Sequence, residues 1–164
     1  LISEVMWGAD PVKEISESYA VVWGALQWAR DRGVSRSDRS VRVLSVGDGA
    51  TARTGALLGA HTAWQIVAVD PIGRPGSVAR VEIVRGGVEL ITERFPLVLA
   101  THSHAPVDAT RARVLPGGTI ISLPCCVAWP HGPNQYRRLM PACLSPDRML
   151  VIERAHGIPE VPHA

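Results

Sequence analysis

From residue 41 onward, short runs of Val, Ile and Leu alternate with helical or turn-forming stretches, and this alternation constrains the fold more than any other feature. Residues 41–46 read as a buried strand, 50–60 as a helix, and 65–69 as a second strand closed by Asp70 and Pro71. After a Gly/Pro loop, 78–84 reads as a third strand, and 88–93 fits a short helix or an extended segment equally well. A fourth strand at 97–101, a helix at 108–115, a turn at Gly117 and Gly118 and a fifth strand at 119–123 follow. The pattern predicts a further helix at 134–140, a last strand at 148–154 and a loose tail at 158–164. Strands this continuously apolar, linked by helices, imply a mostly parallel sheet covered on both faces, the three-layer, doubly wound α/β/α arrangement. Ahead of this unit, 11–31 reads as a helix with Asp10 as N-cap, Pro11 at the first helical position and apolar residues from Ile15 to Ala29 at helical spacing.

The 164 residues suit one domain with a self-sustaining core. Within it, 1–40 holds the first helix and an Arg-rich loop, 41–126 the ligand-binding core, and 127–164 a C-terminal loop, helix and strand. An apolar fraction of 46% with 20% charged residues excludes a disordered or fibrous chain. The formal charge of +2 is too small to point to nucleic acid by itself, although the basic set is sixteen Arg and one Lys, and Arg favours planar contacts with phosphate or carboxylate. Three Cys, two of them adjacent, cannot build a disulfide framework, so a reducing, cytoplasmic setting is expected. No apolar run reaches the length of a membrane span, and no secretory signal pattern is present. The chain begins at Leu1 with no initiator Met, and we expect a larger parent protein or a partner subunit.

The first strand ends in Gly47-Asp48-Gly49 and leads into a helix, so backbone there can approach a ligand where side chains would block it. Doubly wound sheets bind ligands beyond the carboxyl ends of their strands, and Asp70, 21 residues past Gly49 at the end of the second strand, is placed to bind a ribose hydroxyl pair. A dinucleotide site calls for a third Gly, and the run continues Ala50-Thr51-Ala52 instead, which counts against NAD. The stretch resembles the first motif of S-adenosylmethionine-dependent methyltransferases, "IVAVDP" resembles their second strand with its ribose-binding acid, and "FPLVLATHSH" and "VLPGGTIIS" resemble their fourth and fifth strands. That resemblance, over roughly 41–126, implies a Rossmann-like fold and S-adenosyl-L-methionine as cofactor, held by Gly47, Asp48, Gly49, Ala50, Thr51, Asp70, Pro71 and Thr101. Two positions depart from the family: Ser45 stands where an acid is common, and Thr51 where a third Gly is common.

The fourth and fifth strands are neighbours in a doubly wound order, so "THSHAP" (101–106) and "LPCC" (123–126) are expected to emerge side by side. One methyltransferase branch carries a His-containing segment after the fourth strand and Pro-Cys-Cys after the fifth; His102 and Pro124-Cys125-Cys126 resemble these, and the branch implies RNA as acceptor. Three roles stay open. His102 or His104 could act as general base, Cys125 or Cys126 as nucleophile, and the four together could bind zinc, although their spacings are not the usual Cys-x2-Cys type and no metal ligand is assigned. Trp129, Tyr136 and Arg137 form an aromatic and basic mixture suited to stacking a base and holding phosphate, with Pro124 and Cys126 beside them. The resulting expectation is a methyltransferase acting on RNA, a tRNA or an mRNA cap. A small-molecule acceptor and a non-catalytic RNA- or protein-binding module are the other readings.

Overall fold

The computed structural model describes residues 11–76, 78, 80–124, 135–139 and 150–155. Its elements are α1 (Pro11–Asp31), β1 (Arg42–Val46), α2 (Arg53–His61), β2 (Gln65–Asp70), β3 (Val81–Arg85), a 3-10 turn (Val88–Leu90), β4 (Phe95–Thr101), α3 (Val107–Arg111), β5 (Val114–Leu123), β6 (Gln135–Leu139) and β7 (Leu150–Arg154). Among the described residues these strands form one seven-stranded sheet, in the order β3-β2-β1-β4-β5-β7-β6. The pairings from β3 through β5 are parallel, and β7 runs antiparallel to both β5 and β6.

Strand alternation sorts the core into two layers. Val43, Leu97, Leu99, Ile121 and Leu123 face α1 and α2, whereas Leu44, Val46, Val98, Ala100 and Ile120 face the side covered by the 3-10 turn and α3. Burying each such Leu, Ile or Val stabilises the fold by about 1.5–3 kcal/mol. On α1, Val21, Ala25 and Trp28 continue one buried stripe, and Gly24 brings the helix close enough that a Cβ there would meet Ile121 and Leu150 at 3.2 Å. The order of the strands reverses between β1 and β4, so a crevice opens beyond their carboxyl ends.

The doubly wound, mostly parallel sheet is as expected, with differences at several elements. The predicted helix at 134–140 is instead strand β6, whose backbone groups pair with β7 from Gln135↔Arg154 to Leu139↔Leu150. Helix α2 begins at Arg53 because Ala52 lies in the left-handed region at φ 49°. Helix α3 ends at Arg111, and β5 starts at Val114, before the glycine pair. The register then jumps from Phe95↔Val114 to Leu97↔Thr119, making Gly117 and Gly118 a bulge in the strand and not a turn ahead of it. Asp10 and the tail at 158–164 lie outside the described residues. Among the described residues no helix is long and apolar enough to cross a membrane.

Candidate functional site

Gly47 and Gly49 both adopt left-handed φ, at 70° and 72°, for different reasons. A Cβ on Gly47 would fall 2.8 Å from the Ser103 Cα, so this glycine exists to let the turn pack against the exit of β4. Gly49 has open space where a Cβ would sit, nothing lying within 4 Å. Its N–H donates to Asp70 Oδ2 at 2.9 Å, and Ile72 N–H donates to Asp70 Oδ1 at 2.9 Å. Asp70 thus ties the turn after β1 to the loop after β2, and the crevice rim is held by one half-buried carboxylate.

Asp48 turns inward. Its Oδ1 accepts from Thr54 N–H at 2.7 Å, and its Oδ2 from Gly55 N–H at 2.7 Å and the Ser45 hydroxyl at 2.9 Å. Since Ala52 offers no side-chain cap, this carboxylate satisfies the first amides of α2. Burial pushes the Asp48 carboxyl up from its ordinary value, while the Gly55 and Thr54 amides and the Ser45 hydroxyl pull it down. Ser45, where the family resemblance carries an acid, is therefore a support for Asp48.

Beyond β4, Thr101 is buried and accepts a hydrogen bond from the Thr54 hydroxyl at 3.0 Å. His102 sits at φ 53°, a conformation that costs a non-glycine residue roughly 1–2 kcal/mol. Its N–H donates to Leu123 O at 3.1 Å, and its ring Nε2 lies 2.6 Å from Glu17 Oε2 of α1, a buried carboxylate. A second pair, Glu14 Oε2 to Arg53 Nη1 at 2.6 Å, joins α1 to the start of α2. Helix α1 is thus pinned across the crevice by one ion pair and one side-chain hydrogen bond.

Two cavities open at this edge. One, of about 460 Å³, runs between α1 and the glycine turn and is lined by Gly47, Asp48, Gly49, Ala50, Thr51, Thr101 and His102, together with Glu14, Ser18, Arg53 and Arg74. The other, of about 330 Å³, is lined by Asp70, Pro71, Gly86, Gly87, His102 and His104. Pro124 follows Leu123, which pairs with Thr101, so β4 and β5 end side by side. Tyr136 and Arg137 lie within β6, which β7 separates from β5, at the level of Ile120 and Ile121 and away from the carboxyl edge. Cys125, Cys126 and Trp129 lie outside the described residues. Among the described residues no three His, Cys, Asp or Glu gather as a metal site.

Sequence reasoning missed Glu14, Glu17, Ser18 and Arg53. A signal existed: 14, 17 and 18 continue the helical spacing of the buried Val21, Ala25 and Trp28, so polar residues stand where the stripe demands burial.

The sheet order and crevice define a Rossmann-like α/β fold of the kind found in methyltransferases. No family model matches the chain, and no curated protein matches it. Among solved structures, the antibiotic-resistance methyltransferase Kmr is similar with a TM-score of 0.52 and 16% identity, covering 77% of this chain and 92% of its own. A point mutant of MtNAS in complex with S-adenosylmethionine has a TM-score of 0.55 and 16% identity, covering 88% of this chain and 72% of its own. MycE methyltransferase from the mycinamycin biosynthetic pathway, in complex with Mg and SAH, has a TM-score of 0.52 and 17% identity over 92% of this chain. The chain spans about half the length of MycE and of some other matched methyltransferases.

Proposed function

We propose that the chain is an S-adenosylmethionine-dependent methyltransferase, with the nucleoside in the cavity beside Asp70 and the amino-acid end in the cavity beneath α1. The tie between Gly49 and Asp70 carries this reading, because it sets a side-chain-free cradle and a ribose-binding carboxylate 2.9 Å apart at the edge where doubly wound sheets take ligands. The cofactor when bound supplies an electrophilic methyl group. The chain's own part is to orient the acceptor and exclude water, for which proximity is the main catalytic term. His102 is the base: with Nε2 engaged by Glu17, Nδ1 is the ring atom that accepts a proton from an acceptor hydroxyl or ring nitrogen. We take RNA as acceptor, on the resemblance of the sequence around His102 and of Pro124-Cys125-Cys126 to the RNA-linked branch; His104, exposed at the rim, belongs to that acceptor side.

Calorimetry with S-adenosylhomocysteine tests the cofactor assignment. Asp70→Ala is expected to weaken binding at least tenfold, since a hydrogen bond to a charged group contributes roughly 1.5–3 kcal/mol. Unchanged affinity in that variant removes the cofactor from this edge. Transfer of a labelled methyl group to total RNA, and not to a small-molecule extract, is the expected outcome for the acceptor.

A further inference from the structure

Both ends of an α-amino acid need a counter-charge, and the residues that first suggest themselves at this turn are already committed. A ligand carboxylate at the amino terminus of a helix ordinarily takes the free amides. Here Asp48 already accepts from Thr54 and Gly55 at 2.7 Å each. A ligand ammonium seeks a carboxylate, yet that of Asp48 is buried beneath three donors, and that of Glu17 is buried against His102 and does not line the cavity. Among the described residues of the cavity wall, Glu14 and Arg53, 2.6 Å apart, stand as one anion beside one cation.

The placement of Arg53 is itself informative. It occupies the first position of α2, where the helix dipole disfavours a cation, and the first turn holds no acidic residue to offset it. Its side chain is only 16% exposed, against 33% for Glu14, so both act in a medium less screening than water. A guanidinium can serve two carboxylates at once, which lets a ligand carboxylate join Glu14 on Arg53. Arg74, the other guanidinium at this cavity, is exposed and belongs to the loop after β2.

We infer that Glu14 and Arg53 form a zwitterion clamp, Glu14 holding the α-ammonium and Arg53 the α-carboxylate of the ligand's amino-acid tail. The inference rests on the proposed nucleoside site and names the residues that select its tail. It makes α1 a ligand-binding element, not only a cover for the sheet.

Two ligands that share a thioether nucleoside and differ in the tail separate the possibilities: S-adenosylhomocysteine has the amino-acid group, and 5′-methylthioadenosine lacks it. Calorimetry on the whole chain is expected to show Glu14→Gln and Arg53→Gln each weakening S-adenosylhomocysteine about tenfold while leaving 5′-methylthioadenosine within about twofold. A selective loss of S-adenosylhomocysteine affinity in Arg74→Gln that exceeds the loss in Arg53→Gln overturns the clamp, because it moves the carboxylate to Arg74. If a variant merely loosens α1, both ligands weaken together, and an equal loss overturns the clamp, as does an unchanged affinity for S-adenosylhomocysteine. Equal affinity of the unaltered protein for the two ligands overturns the clamp alone. Binding of neither ligand overturns the nucleoside site and the clamp with it.

Discussion

Replacing Asp48 by Asn isolates what the buried carboxylate does for the glycine turn. The carboxylate accepts three hydrogen bonds, from Thr54 N–H on Oδ1 and from Gly55 N–H and the Ser45 hydroxyl on Oδ2. An Asn side chain offers one acceptor oxygen, so in either orientation one of the two α2 amides meets an NH2 group. A buried donor without an acceptor costs about 1–3 kcal/mol, a sizeable part of the roughly 5–15 kcal/mol that stabilises a domain. With a urea m-value of about 2 kcal/mol/M, the denaturation midpoint is expected to fall by about 0.5–1.5 M, read from tryptophan fluorescence. The effect has a pH signature. The folded-state pKa of Asp48 is raised, chiefly by burial, so its contribution to stability is fully present below the unfolded value of about 3.9 and is lost as pH rises through the folded value. Asn does not titrate, and the other carboxylates cancel in the difference. The penalty of Asp48→Asn is therefore expected to be largest near pH 4 and to shrink toward neutrality. A penalty that grows toward pH 7 would refute the reasoning, because it would mean that the turn stabilises the ionised carboxylate more than water does.

Gly49→Val places a β-branched side chain at φ 72° and extends it into open space, so binding of S-adenosylhomocysteine is expected to vanish while stability falls by only about 1–2 kcal/mol; normal binding by calorimetry would make the turn a corner and nothing more. Arg111 holds the buried Glu153 through Nε and Nη2 at 2.8 and 3.0 Å, and this contact raises the pKa of Arg111. Arg111→Met, by removing both of these hydrogen bonds from a buried carboxylate, is expected to cost about 3–5 kcal/mol in chemical denaturation, with most of it recovered when Glu153→Leu is added. A single-variant loss under about 1 kcal/mol would show that the pair does not secure β7 to α3.

Local chemistry carried most of the reading where it was decisive. The first helix, β1 and β2 match their expected spans to within a residue, because Pro11, the apolar runs and the closing Asp70 each act within a few positions. Failure came where pairing partners are distant in sequence. Residues 135–139 have no helical constraint of their own, and only β7 makes them a strand. The glycine pair at 117 and 118 reads as a turn from composition, yet the register with β4 turns it into a bulge. At the site, Gly49 and Asp70 are legible as a spaced pair and prove to be hydrogen-bonded. Asp48 is not legible in this way, since an Asp within a glycine turn has the same sequence signature whether it faces a ligand or caps the next helix. Helical spacing marks Glu14 and Glu17 as continuing the buried stripe of α1, but their partners Arg53 and His102 lie beyond the first strand, and no local pattern identifies them.

The close seating of α1 also bears on how the chain assembles during synthesis. This helix leaves the ribosome before the sheet it packs on, yet Glu17 must await His102, 85 residues later, and Gly24 packs against Ile121 and Leu150. Its stripe of Val21, Ala25 and Trp28 therefore stays uncovered while the sheet is being made, and docking waits on contacts of large sequence separation, the slow kind to form. Nascent chains arrested before β4 are expected to carry a helix that lacks most of the surface it closes upon. The crevice gains its wall only after β4 and β5 have emerged, so capture of a ligand on the ribosome becomes a sensitive reporter that this unit has finished folding.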